Sequence, residues 1–319
     1  MLVIPEVPEE LPFLKAICWQ TADIKHFSLE EMLRRYERGW HYRGTLGFPS
    51  SQELFFIKNL AVYYGSWLAG GGVMSSKFRL DFHEHILTIL NNINADFLRN
   101  CSAYFGGDTL VSLKHGEHRL SKDIDFICPL GEGYRLLRQE VATKGYNAIF
   151  VTQQSITLPQ PIQANQYGVR FPVIVDGTTI KFEIVIEGRI EIGTPDYPSW
   201  CPVPCLNETD TFAEKLLANS DRWIDSSVES RDIIDLAVQR LASPIPQEAI
   251  DKAEKAYPVI DPLKRAIQNF QNKAEYRERC YASLLVNAPD KIIDGIDLLA
   301  SDFGLEATER IFIERRLEY

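Results

Sequence analysis

The segment Asp123-Ile124-Asp125-Phe126-Ile127-Cys128 constrains the fold of this chain more than any other. Apolar residues alternate with two acids and then run on, the pattern of a buried strand. Side chains on a strand alternate faces, so Asp123 and Asp125 project to the same side. Two like charges on a strand rich in Ile and Phe repel unless a cation neutralises them, and paired carboxylates with open positions suit Mg²⁺ or Mn²⁺. Just upstream, Gly106-Gly107 lacks Cβ atoms and can turn successive backbone N–H groups toward a phosphate, with Leu110 to Leu113 starting a helix whose positive end points the same way. Taken singly, a Gly-Gly pair is an ordinary turn and a D-x-D an ordinary strand end. Their order and closeness, with Arg119 and Ser121 just before the acids, favour a nucleotide site.

At 319 residues the chain is long enough for one large or two modest domains with a real core. It has no run of about eighteen apolar residues, and its proline-broken acidic start is unlike a signal peptide, so the expectation is a cytoplasmic protein with no membrane span. Six cysteines are scattered. Cys201 and Cys205 lack a second pair to complete a zinc site and read as reduced thiols. The net charge of −10 opposes nonspecific nucleic-acid binding, so such a substrate requires a local basic patch. Lys114, Arg119, Lys122, Arg135, Arg138 and Lys144 are the candidates for one, against an ordinary reading as solvated faces.

Two capping boxes, Ser28 to Glu31 and Ser50 to Glu53, predict helices near the N-terminus, the second running from Leu54 to Leu68. Gly70-Gly71-Gly72 then reads as a flexible joint. The aromatic residues here (Trp40, Tyr42, Phe55, Phe56, Tyr63, Tyr64 and Trp67) read as packing rather than as a base-stacking platform. Apolar spacing predicts one helix over Phe82 to Leu98. On it His83 and His85 lie two apart and share no face, which rejects a metal pair. A helix over Gly133 to Lys144 and a strand over Asn147 to Thr152 follow. Two apolar runs from Arg170 to Ile186, joined by Asp176-Gly177, predict a hairpin with a type I′ turn. In its second arm Lys181 and Glu183 oppose Ile180, Phe182, Ile184 and Ile186. After a proline-rich crossing from Asp196 to Cys205 the chain turns helical, with Glu229 to Leu241, Pro262 to Leu285 and Lys291 to Phe303 among its helices. Beyond Pro244 no chemistry is legible, and the tail reads as a supporting or partner-binding bundle.

The order G-G-x-x-L from Gly106, a short helix, then R-x-S-x-D-I-D-F from Arg119 resembles the AbiEii/AbiGii toxin branch of the minimal nucleotidyltransferases, related to the MenT toxins and the polymerase beta-like superfamily. The resemblance covers roughly Phe82 to Leu241. It implies an α+β fold: a small mixed sheet flanked by helices, with a helical N-terminal extension (1–77), a nucleotidyltransferase core (78–205) and a helical C-terminal half (206–319). It implies a third metal carboxylate on a neighbouring strand, for which Glu183 is the candidate beside Asp123 and Asp125. Segments similar to the family's E-K-L-x-A and R-D-x-x-D-L bring in Lys215 for the phosphates and Asp232, ahead of Asp235, as a functional acid; the alternative role of the two acids is a helix–helix salt bridge with Arg222, Arg231 or Lys215, which would make Lys215 part of a structural ion pair. Gly106, Gly107, Thr109, Arg119 and Ser121 complete the expected nucleotide contacts. The third position of the glycine motif is Ser or Thr in the family and Asp108 here, a departure that removes the hydroxyl contact. The implied reaction is Mg²⁺- or Mn²⁺-dependent transfer of NMP from an NTP to an acceptor hydroxyl, a tRNA end being favoured, by the toxin of a type IV toxin-antitoxin or abortive-infection system with a cognate antitoxin. Alternatives are nucleotidylation of a protein, which the acidic charge favours, or a degenerate module that binds a nucleotide or partner without turnover.

Overall fold

The computed structural model describes residues 5, 7–19, 21, 23–42, 46, 49–66, 68 and 78–315. The Gly70 to Gly72 joint and Trp67 lie outside them. The architecture is α+β, with a five-stranded mixed sheet among many helices. Among the described residues the chain opens with α1 (Pro12–Ile17), α2 (Leu29–Gly39) and α3 (Ser51–Tyr64). They enclose their own apolar core, built from Phe13, Leu14, Met32, Leu33, Tyr36, Phe56, Ile57 and Leu60. The Ser28 to Glu31 box forms as expected. The Ser50 to Glu53 box forms only by half. Ser50 accepts from the Glu53 N–H, but the Glu53 carboxylate is buried elsewhere, accepting from the Phe13 and Leu14 amides and from the Tyr36 hydroxyl, each at 2.8 Å. A charge at the amino end of α1 satisfies donors that the short helix cannot satisfy itself. Packing accounts for Trp40 and Phe56, whereas Tyr42, Phe55 and Tyr64 stay exposed.

The helix expected over Phe82 to Leu98 is two: α4 (Asp81–Asn92) and α5 (Ala95–Asn100). Between them Ile93 is extended and bridges Phe150, and Asn94 caps the second helix by accepting from the Phe97 N–H. Apolar spacing is nearly continuous across a two-residue break, which hid it. The sheet begins with β1 (Tyr104–Gly106), passes through α6 (Gly107–Lys114) and returns as β2 (Asp123–Pro129). Next come α7 (Glu132–Lys144) and α8 (Tyr146–Ile149), the latter where a strand was expected; of that stretch only Phe150 pairs. β3 (Gln163–Asn165), β4 (Gly168–Val175) and β5 (Thr178–Glu187) complete the sheet in the order β1-β2-β5-β4-β3. Only β2 and β5 are parallel. The hairpin turns at Asp176 (φ 47°) and Gly177 (φ 79°), the two positive angles that a type I′ turn requires.

One face of the sheet is apolar. Phe105, Phe126, Phe182 and Phe171 follow one another across four strands, with ring centroids 5.7, 5.5 and 4.6 Å apart, the first pair tilted and the other two stacked, and helices cover them. The other face carries the acids. Past the crossing lie α9 (Glu208–Arg222), α10 (Arg231–Ala242), α11 (Gln247–Ala256), α12 (Ile260–Gln271), α13 (Ala274–Ser283) and α14 (Pro289–Asp302) around a third apolar core. The helix expected over Pro262 to Leu285 is thus broken between α12 and α13. The loop from Gly116 to Leu120 joins this helical half to the sheet: the Leu120 N–H donates to the Leu284 carbonyl and the Asn287 N–H to the His118 carbonyl. No helix among the described residues is long and apolar enough to cross a membrane.

Candidate active site

Period-two alternation puts Asp123 and Asp125 on the face of β2 opposite Ile124 and Phe126. Parallel pairing places Lys181 beside Asp123 and Glu183 beside Asp125, and antiparallel pairing places Arg170 beside Glu183 on the next strand. Adjacent strands run about 4.8 Å apart, so Asp125 and Glu183 are nearest neighbours on one surface. All three acids line a cavity of about 250 Å³ together with Gly107, Asp108, Lys181, Lys215, Arg222 and Arg231. Glu183 is paired with both Arg170 and Lys181. Among the described residues Asp125 has no such partner. Burial, then the charges of Asp108, Asp123 and Glu183, push its carboxyl up to about 7, and burial raises Asp123 as well. Crowded carboxylates short of countercharge are what a divalent cation with oxygen ligands needs, so these residues fit Mg²⁺ or Mn²⁺.

The glycine pair belongs to the same wall. Gly106 is in register with Asp125, and a Cβ on it would lie 2.8 Å from Leu206 and 2.9 Å from Ile127. Gly107 has φ +67°, and a Cβ there would lie 2.7 Å from the Asp125 carboxylate. A Cβ at either position would force a neighbouring side chain to shift, and α6 starts directly over the acids. Thr109 and Ser121 stand behind this wall, buried and hydrogen-bonded to each other at 2.7 Å, with the Ser121 N–H donating to His83 Nε2. His83 in turn bonds Glu117 through Nδ1 at 2.7 Å, and burial lowers its pKa, so it serves as a neutral bracket. His85 faces Asp176 instead.

Facing the acids, α9 and α10 bring a buried charge network against α6. Lys215 contacts Asp108, Asp235 at 2.6 Å and Asp232 at 3.3 Å. Arg222 grips Asp232 through two bonds of 2.6 and 2.8 Å. Arg119, buried, grips Asp235 through two bonds of 2.7 Å, and His118 reaches the same carboxylate at 2.9 Å. Burial alone would raise Asp235, but Arg119 and then Lys215 hold it well below the usual range. Asp232 and Asp235 are therefore both engaged, the first with cations of the cavity wall and the second deeper. Carboxylate oxygens of Asp108, Asp232 and Asp235 come within 4.8 Å of one another. Lys215, Arg119, Arg222 and Arg231 already surround that trio and offset its charge, so of the two groups Asp123, Asp125 and Glu183 offer a cation more unmet negative charge.

The candidate basic residues do not line this cavity, which favours their ordinary reading. Arg119 is buried, Lys144 pairs with Glu140, and none of Lys114, Lys122, Arg135 or Arg138 lines the cavity. The cations that do are Lys181, Lys215, Arg222 and Arg231. Of these, Lys181, Arg222 and Arg231 were not expected as site residues; Arg222 and Arg231 were expected only as salt-bridge partners of the helix acids, a role that Arg222 takes on Asp232. The signal was there in Arg231, one residue before Asp232, but its direction depends on how α10 meets α6.

Two solved structures are similar to this chain at 18% identity and a TM-score of 0.41. One is a protein of H. pylori described as a nucleotidyltransferase, the match covering 72% of this chain and 95% of that one. The other is JHP933 from Helicobacter pylori, with 70% and 92% covered. No curated protein matches. The family model described as "Nucleotidyl transferase AbiEii toxin, Type IV TA system" matches residues 88–278, a stretch that takes in both the acid-bearing sheet and the helices carrying Lys215 and Asp232. Since that stretch exceeds half of its length, the chain belongs to the AbiEii nucleotidyltransferase toxin family.

Proposed function

We propose that this nucleotidyltransferase transfers NMP from a metal-bound NTP to an acceptor hydroxyl, a tRNA end being the favoured acceptor, as the toxin of a type IV system with a cognate antitoxin. The observation that carries the reading is one cavity with Asp123, Asp125 and Glu183 on one wall and Lys215, Arg222 and Arg231 on the other. Bound at the acids, Mg²⁺ or Mn²⁺ would supply Lewis-acid stabilisation of charge developing on the phosphates. Asp123, Asp125 and Glu183 would hold that cation. Lys215, Arg222 and Arg231 offset phosphate charge, Gly107 allows close approach, and Thr109, Arg119 and Ser121 fix the wall behind. Asp232 orients Lys215 and Arg222. Catalysis in such a site comes from positioning and electrostatics. On this reading the protein works in the cytoplasm, and its helical parts, 1–77 and 206–319, flank a core of 78–205.

Incubation with each α-labelled NTP, Mg²⁺ and total cellular RNA or protein tests the reading. Label is expected in tRNA-sized RNA, and its absence with Asp125→Asn ties it to this site. Label on protein moves the acceptor to the alternative class. NTP binding without pyrophosphate release, whatever the acceptor, would leave a binding module.

A further inference from the structure

Asp108 is the carboxylate of the network that faces the cavity. Its side chain is 18% exposed, against 4% and 0% for Asp232 and Asp235. It contacts four cations: Lys215, Arg231 at 3.1 Å, Arg119 at 3.2 Å and Arg222 at 3.8 Å. Three of these line the cavity. Arg231 Nε, although this close, is buried and makes no hydrogen bond among the described residues, so Arg231 and Asp108 are held together by charge alone. The two deeper acids keep their own bidentate arginines, Arg222 on Asp232 and Arg119 on Asp235, so the network keeps counter-ions if Asp108 turns away. Asp108 also stands one residue from Gly107 at the amino end of α6, where a phosphate would meet backbone N–H groups.

We infer that Asp108 is an internal anion occupying the phosphate subsite, which an incoming triphosphate must displace to reach Lys215, Arg222 and Arg231. The inference deepens the nucleotide-transfer reading and rests on it for the identity of the natural ligand. Displacement swaps one anion for another on the same cations, so the free enzyme is held in a resting state and its affinity for NTP is set by Asp108. The residue specifies strength of binding rather than chemistry.

The probe is inorganic tripolyphosphate, titrated by calorimetry into the full chain without added metal. Asp108→Asn and Asp108→Ser should each tighten binding about tenfold, the scale that one unit charge near a partly screened anion carries. Asp108→Glu, which keeps the charge, should not. If Asp108→Asn does not fold, Asp108→Ser carries the comparison. Unchanged, weaker or undetectable binding in the neutral variants overturns the inference. The labelled transfer assay is scored separately. Tighter tripolyphosphate binding by variants of a chain that transfers no NMP would defeat the activity and keep the subsite, and transfer with unchanged tripolyphosphate affinity would do the reverse.

Discussion

Asp125 on β2 lies in register with Glu183 on the parallel strand β5, and the two carboxylates share a surface with opposite electrostatic circumstances. Glu183 is held by Arg170 and Lys181, while Asp125 meets mainly other acids and is pushed up to about 7. The metal-free site therefore carries its unmet charge at Asp125, and the first prediction concerns that residue.

Because its folded pKa lies above the unfolded value of about 4, Asp125 keeps an extra proton in the folded state between pH 4 and 7, and stability drains away as pH rises through that window. Asp125→Asn cannot ionise. In chelator its fold should exceed the wild type by about 1–3 kcal/mol above pH 7, with the gap closing below pH 4, while Mg²⁺ binding and transfer are lost. Thermal melts from pH 4 to 8 measure this, and equal melting at pH 8 would refute it.

Lys215→Ala behaves differently. The sequence left open whether this lysine serves the nucleotide alone, in which case its removal spares the fold, or sits in a structural ion pair. The structure buries it among Asp108, Asp232 and Asp235, so the variant should lose about 3–5 kcal/mol of stability as well as nucleotide affinity. An apo melting temperature within a degree of wild type would contradict this placement.

Gly107→Ala separates backbone strain from steric contact. Gly116 has a similar φ, +70°, with nothing near its missing Cβ, so Gly116→Ala should cost about 1 kcal/mol. Gly107→Ala adds a collision with Asp125 and should cost at least twice that, with weaker Mg²⁺ binding. Equal costs in denaturant titration would show that the Asp125 contact is unimportant.

Glu53→Ala removes the acceptor for two amides and a buried hydroxyl, and should destabilise the N-terminal helices by about 2–5 kcal/mol. Limited proteolysis should then cut between Leu11 and Tyr64 first, leaving the sheet core protected. Uniform loss of protection along the chain would mean that the N-terminal helices and the sheet unfold together.

What the sequence determined by itself was local and periodic. Alternation put Asp123 and Asp125 on one side of a strand, Asp176-Gly177 set the hairpin, and through it Glu183 opposed an apolar face. These follow from φ/ψ and side-chain direction, which neighbouring residues control. Tertiary structure decided the rest. The break at Ile93 depends on a bridge to Phe150, and the Glu53 carboxylate leaves its own helix because α1 offers unsatisfied amides nearby. The cations that face the acids, Arg222 and Arg231 rather than the Arg135 to Lys144 group, follow from the docking of α9 and α10 on α6. So do the surroundings of Asp108, which Lys215, Arg222 and Arg231 reach from more than a hundred residues away. Electrostatic partners more than a hundred residues apart leave no periodic trace in the chain, because the force that pairs them acts through space and only after the core has brought them together.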